Sequence, residues 1–238
     1  MNPSSRLLWL DELRGVAIVL MILFHTCYDL NYFRFISVDI VKGSGWIAFR
    51  EVIVSLFLFA VGVSLVLVHR RGIRWKAVGR RALILGAAAG SVSLGTWWVF
   101  PDYWVYFGIL HLIWAASLLG LPLVGRPWLA LAAGGAIVAA SALGWLGTEW
   151  LFAHLQAPLH LPRYTVDLQP IFPWLAVVFA GISFASFGWT ERVEGLVASR
   201  VRGRSALLAL AGRHSLAIYL LHQPLIFGGV WLLYRMTH

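Results

Sequence analysis

The chain has 238 residues, of which 60% are hydrophobic and 12% charged, and its mean hydropathy is +0.79. Soluble domains carry about 45–50% apolar and about 25% charged residues, and a domain of this size still exposes roughly a quarter to a third of its unfolded-chain surface. The composition therefore excludes a water-soluble globule, a disordered chain and a disulfide scaffold, and makes the bilayer the solvent. The net charge of +9 would suggest nucleic acid for a soluble protein. Here the basic residues fall between apolar runs, where topology and lipid headgroups account for them, and no nucleic-acid partner is expected. The single cysteine, Cys27, cannot form an internal disulfide and reads as a small packing residue.

Asp11, Glu12 and Arg14 interrupt the first apolar run, no small-residue cleavage site follows, and the run continues past Phe24, so it reads as a membrane helix rather than a signal peptide. Runs long enough to span the hydrocarbon, about 20 residues, fall at 13–33, 46–68, 82–100, 104–123, 128–147, 171–189 and 206–234, the last opening with a short turn before Gly212. The pattern predicts an all-α, polytopic membrane helix bundle of about seven spans, a single domain over residues 1–238. Strand-like alternation is absent, which argues against a membrane barrel. With the N-terminus cytoplasmic and the C-terminus periplasmic, only Arg34, Lys42, Arg50, Arg163 and Arg235 of the 19 Lys and Arg residues lie outside. Arg6, Arg202 and Arg204 are among those counted inside. The tryptophans agree, collecting at the two predicted interfaces with only Trp114 in mid-span. GAAAG at 86–90 and AAGGA at 132–136 are close-packing faces, within the chain or in a homodimer. The segment from Thr148 to Gln169, with two prolines, reads as a loop over the outer mouth.

Ionisable residues at membrane depth are costly and point to function. The first span holds Asp11, Arg14, His25 and Asp29. Arg14 and His25 are separated by about 16 Å along a helix axis, which puts the arginine at the inner headgroups and the histidine in the outer half. His25 and Asp29, four apart, share a face, and a carboxylate there suits an imidazole acting as general base. Glu51, about one turn into the second span, is an alternative orienting carboxylate, or an interfacial partner of Arg50. His111, about two turns into the fourth span, and His222 with Gln223 before Pro224 in the last span add polar groups at similar depth. The plainer reading of each histidine is a hydrogen-bonded interior residue. No paired spacing of metal or haem ligands occurs, and no metal is expected.

On the inner side Arg70, Arg71, Arg74, Lys76, Arg80 and Arg81 form a run without an acid. It anchors anionic lipid, or together with Arg14 and the turn Arg213–His214–Ser215 it holds a phosphorylated cytosolic ligand at a helix N-terminus.

LDELRGVAIVLMILFHTCYDL (10–30), SLFLFAVGVSL (55–65), FGILHLI (107–113), FPWLAVVFAGI (172–182) and GRHSLAIYLLHQPL (212–225) occur in this order. Together with the Arg14-to-His25 spacing they resemble bacterial membrane proteins related to the catalytic domain of heparan-alpha-glucosaminide N-acetyltransferase, within the transmembrane acyltransferase superfamily. The resemblance implies acetyl-CoA as co-substrate, entering from the cytoplasm among basic residues, and a sugar-like acceptor approaching from the outer side of the bacterial inner membrane. The lysosomal branch has an asparagine at the position of His25 and a histidine in the following outer segment. Residues 31–45 here contain no histidine, so the catalytic role is assigned to His25.

The expected protein is thus a membrane-embedded acetyltransferase. His25 is the base, Asp29 or Glu51 orients it, and His111 binds the acceptor or the oxyanion. Arg14, Arg70, Arg71, Arg213, His214 and Ser215 hold the CoA thioester's phosphates, and His222 and Gln223 contact the acceptor. An acetyl-histidine intermediate is the alternative chemistry. A proton-coupled transporter or non-catalytic membrane subunit is the alternative function, although the halves show no internal similarity of the kind transporters carry.

Overall fold

The computed structural model describes residues 7–147, 149–200 and 206–237. Arg6, Thr148, Arg202 and Arg204, named above, lie outside the described residues. Among the described residues ten α-helices follow one another: α1 (Leu8–Tyr32), α2 (Ser44–His69), α3 (Trp75–Val99), α4 (Ile109–Leu119), α5 (Pro127–Ala142), α6 (Glu149–Gln156), α7 (Leu175–Ser186), α8 (Trp189–Arg200), α9 (Ala206–Arg213) and α10 (Ser215–Thr237). Among the described residues there is no strand, only an isolated bridge between Phe107 and Leu168.

Four helices, α1, α2, α3 and α10, are long and apolar enough to cross a membrane, and α4, α5 and α7 are shorter apolar helices. This is a multi-pass membrane protein. The difference from seven full-length runs lies in where polar side chains capture backbone. The run 104–123 contains a helix only from Ile109 to Leu119, because the segment before it is held in another conformation. Thr96 Oγ1 accepts from the Val105 amide at 2.9 Å, and Ser93 Oγ donates to the Val105 carbonyl at 2.7 Å. Hydropathy cannot register such local competition.

The chain forms two compact units, residues 1–57 with 191–238, and residues 58–190. In the first, α1 packs on α9 and α10. A Cβ on Gly15 would overlap the Leu208 carbonyl, and one on Gly212 would overlap the Asp11 carbonyl. These two glycines let the backbones of α1 and α9 touch, as small residues do between membrane helices. The run 206–234 is consequently two helices: α9 is held against α1 as far as Arg213, and the chain turns at His214 before α10 starts. Past the turn α10 runs on through Pro224. Ile18, Met21 and Ile53 form the buried centre of this unit, with Phe24, Phe49, Ile218 and Tyr219 packed around them. Phe33 meets Phe227 and Tyr234 at centroid distances of 5.1 and 5.6 Å, fixing the register of α1 against α10.

In the second unit, α3 packs on α4 and α5 on α7. Leu58, Val63, Leu112, Val178 and Ile182 are its most buried large side chains. Trp114 donates its indole N–H to the Ala82 carbonyl at 3.0 Å, tying α4 to α3. Mid-span placement of that tryptophan therefore serves packing.

Candidate active site

The polar groups of the first unit lie at two levels along α1. At the lower level Asp11 is 2% exposed and receives two guanidinium groups. Arg14 Nη1 stands 3.5 Å from Asp11 Oδ1, and Arg213 Nε donates to Asp11 Oδ2 at 3.2 Å. The Arg213 side chain remains 44% exposed and that of Arg14 25%. One carboxylate thus holds two guanidiniums. His214 is exposed at the turn, and Ser215 opens the 23-residue α10, whose first amides carry partial positive charge.

Three turns higher, α1 and α10 face each other through two pairs of side chains. The His25 and His222 rings meet edge to face with centroids 4.8 Å apart. One turn further, Gln223 Nε2 donates to both oxygens of Asp29, at 3.0 and 3.2 Å. Asp29 is fully buried and His222 is 7% exposed. Helical spacing explains the arrangement: residues 25 and 29 stack on one face of α1, and adjacent residues of α10 reach one each.

Hydrogen bonding fixes the tautomers. His25 Nδ1 lies 2.9 Å from the Met21 carbonyl, and His222 Nδ1 lies 2.6 Å from the Tyr219 carbonyl. A carbonyl only accepts, so each Nδ1 carries the proton and each Nε2 presents a lone pair in the neutral ring. His25 is therefore oriented by a backbone carbonyl one turn earlier, and Asp29 bonds to Gln223. Among the described residues no hydrogen bond joins His25 to Asp29. That corrects the expectation of a carboxylate–imidazole pair drawn from their spacing alone. Phe24 meets the His25 ring edge-on at 5.6 Å, with Trp46 and Phe49 each 6.0 Å from Phe24, so one flank of the imidazole is aromatic.

Glu51 sits two turns into α2 and is exposed. Among the described residues neither it nor Arg50 makes an ion pair, and no contact joins Glu51 to His25.

His111 belongs to the second unit and falls in the first turn of α4 rather than two turns in. Its Nδ1 accepts from the Gly108 amide at 3.3 Å, and its Nε2 is 3.2 Å from Ser93 Oγ, which already donates to Val105. Both ring nitrogens are engaged, with the proton on Nε2. Nearby, Asp167 Oδ2 accepts from the Ile109 amide at 3.3 Å, and Gln169 Nε2 donates to Asp167 Oδ1 at 2.9 Å. Together His111 and Asp167 cap the start of α4, as side chains satisfy helix N-termini elsewhere. Asp167, Ser93 and Gln169 carried no signal in the sequence, because their partners are brought together only by the fold.

In the basic segment between α2 and α3, Arg70 Nη2 donates to Thr190 Oγ1 at 3.3 Å, and His69 Nδ1 accepts from the Arg74 amide at 3.1 Å. Arg70, Arg71, Arg74, Lys76 and Arg80 are exposed. Beside them Ile73, Trp75, Leu118, Pro122, Val124 and Arg126 line an open groove of about 570 Å³.

The apolar helices, with an imidazole pair between two of them and exposed arginines, define a multi-pass helical membrane protein. The sequence pattern of one family, described as heparan-alpha-glucosaminide N-acetyltransferase, catalytic, matches residues 6–224 of the 238, and the chain belongs to that family. The match spans both compact units and includes every site residue discussed above. Membership makes the protein a membrane acyltransferase by kind. No curated protein and no solved structure matches the chain.

Proposed function

We propose that this protein, in the bacterial inner membrane, moves an acetyl group from cytosolic acetyl-CoA to an amino or hydroxyl group of a sugar-like acceptor on the outer side. One observation carries the assignment of the base: His25 holds its proton on Nδ1 against the Met21 carbonyl, and its Nε2 lone pair has no protein partner among the described residues. An imidazole fixed in that tautomer accepts the proton of the attacking group. As the acceptor's N–H or O–H bond breaks to Nε2, its nitrogen or oxygen bonds to the thioester carbonyl carbon. The C–S bond then breaks, and the imidazolium returns the proton to the CoA thiolate. The products are acetylated acceptor and free CoA, and the enzyme is unchanged.

Arg14, Arg213, His214 and Ser215 suit the phosphates of CoA. The Asp11 carboxylate holds both guanidiniums, and the half-exposed Arg213 and the start of α10 offer donors for a phosphate. Within the second unit, the exposed Arg70 and Arg71 suit phosphate or lipid headgroups. The cytoplasmic N-terminus and periplasmic C-terminus given by the Lys and Arg distribution bring the donor and acceptor to opposite ends of α1.

Thermal unfolding of the detergent-purified protein with acetyl-CoA, CoA and dephospho-CoA tests the donor. A ligand binding the native state at a hundredfold excess over Kd stabilises it by about 2.7 kcal/mol. The expected result is stabilisation by CoA and acetyl-CoA that is weakened in Arg14→Ala. No shift with either, up to millimolar concentration, removes the donor and with it the acetyltransferase assignment.

A further inference from the structure

The second unit holds a groove and a recess that the transfer reaction leaves unused, where α2 and α4 finish and α3 and α5 begin. The open groove, walled by Ile73, Trp75, Pro122 and Val124, has a volume of about 570 Å³, which falls in the range of small-ligand sites. Its wall is apolar, and Trp75 is 71% exposed. Next to it lies a recess of about 10 Å³, room for one oxygen-sized atom. Val78, Leu118 and Leu121 line both spaces, so the recess and the groove share a wall.

The polar groups of the recess are donors. His69 is 4% exposed and its Nδ1 accepts from the Arg74 amide, so the proton of the neutral ring sits on Nε2. Ser117 is 5% exposed, and its hydroxyl has no hydrogen-bond partner among the described residues. Ser64 and Ser183, equally buried in the same unit, turn their hydroxyls back to helix carbonyls. The Ser141 and Ser186 hydroxyls are also buried without a partner among the described residues, but they line neither space. Arg81 brings a guanidinium to the recess, and a guanidinium only donates. No acidic residue occurs between 52 and 101 or between 103 and 148. No carboxylate of α3, α4 or α5 can therefore serve as the acceptor. Arg126 lines the groove, and Arg74 and Lys76 are exposed beside Ile73 and Trp75 in the chain.

We infer that the groove and recess bind one anionic phospholipid. Its acyl chain lies along the groove, and one phosphate oxygen enters the recess to accept from Ser117, His69 Nε2 and Arg81. Arg126, Arg74 and Lys76 face the remaining headgroup charge. A recess of donors selects an anionic oxygen, and an open apolar groove selects a hydrocarbon chain. A soluble phosphate gains nothing from the groove, and a zwitterionic headgroup brings an ammonium among cations with no carboxylate to receive it. The Lys and Arg distribution gives this end of the unit to the cytoplasmic leaflet, whose anionic lipids are held by basic pockets between helices. The inference does not rest on the acetyltransferase reading.

The test is equilibrium binding of dioleoyl phosphatidylglycerol and dioleoyl phosphatidylcholine, which carry the same chains, to the detergent-purified full chain. Wild type, Ser117→Ala, Trp75→Ala and Ser141→Ala are compared, with thermal unfolding of each alongside. Wild type is expected to bind phosphatidylglycerol at least about tenfold tighter than phosphatidylcholine. Ser117→Ala should weaken phosphatidylglycerol about tenfold and leave phosphatidylcholine nearly unaffected. Trp75→Ala, at an exposed position, should weaken both, and Ser141→Ala neither. Equal binding of the two lipids by wild type, or a preference that survives in folded Ser117→Ala, makes the recess a water site and overturns the inference. Unchanged lipid binding by Trp75→Ala overturns it as well, and needs no change inside the recess. Displacement of the lipid by millimolar inorganic phosphate or by CoA gives the site to a soluble phosphate instead, a third way to overturn it. Failure of the acetyltransferase assignment would show separately, as absence of any CoA-dependent stabilisation.

Discussion

His25 and His111 are both interior histidines on apolar helices, and their surroundings differ in one respect. Around His111 every hydrogen-bonding ring atom has a protein partner, and those partners satisfy the start of α4. Around His25 and His222 one nitrogen of each ring is anchored to a carbonyl and the other has no partner among the described residues. A closed network specifies a conformation; an anchored ring with a lone pair to spare is prepared for a proton or a ligand. The contrast separates a histidine whose ring the fold consumes from one that keeps a lone pair for the proposed chemistry, although their sequence contexts are equally apolar.

The sharpest way to break this comparison is His25→Ala. General-base catalysis typically contributes 10²–10⁴-fold, so turnover should fall by at least about a hundredfold, with thermal stability and CoA-dependent stabilisation retained. Near-normal turnover would return His25 to the class of packing residues. Next in size is Asp11→Ala, which leaves two guanidiniums without their shared carboxylate. Stripping one partner from a buried pair costs about 3–5 kcal/mol. The exposure of Arg213 reduces this to about 2 kcal/mol, read as a lower unfolding midpoint that added phosphate or CoA partly restores.

Ser93→Ala removes the acceptor for His111 Nε2 and the donor to Val105. It should cost about 1 kcal/mol of stability and leave the acetyl-transfer rate of the folded fraction unchanged. A large drop in rate at unchanged stability would move the α4 cap into the chemistry and collapse the distinction. The smallest effect is expected from Glu51→Gln, an exposed residue without an ion-pair partner among those described: stability within about 0.5 kcal/mol of wild type. A loss of several kcal/mol would reveal a role for Glu51 that its surroundings do not explain.

Periodicity and hydropathy made the apolar helices legible, and the family resemblance drawn from five ordered segments agrees with the match over residues 6–224. His25 and Asp29 were visible as neighbours on one helix face. What spacing could not supply was partner choice. Asp29 lies within reach of His25 along α1, yet its carboxylate bonds to a residue 194 positions away. His25 turns instead to a main-chain carbonyl, a group that every residue possesses and no sequence pattern advertises. The spans 104–123 and 206–234 were drawn too long for the same reason. Thr96 and Ser93 take backbone groups before α4, and the Gly212 and Arg213 contacts with Asp11 hold α9 apart from α10.

The amino-acid sequence by itself determined the solvent, the helical class, the family and the residue types available for proton transfer and phosphate binding. These follow from composition and from short-range order along one helix, where neighbours three and four residues apart must share a face. Only the tertiary structure decided which of those residues remain available for chemistry. A hydrogen bond consumes a donor or acceptor that could have served a ligand, and which bonds form depends on what the second helix brings within about 3 Å. The pairing of α1 with α10 leaves Nε2 of His25 and His222 to accept, whereas Ser93 of α3 and the Gly108 amide at the start of α4 use up both nitrogens of His111.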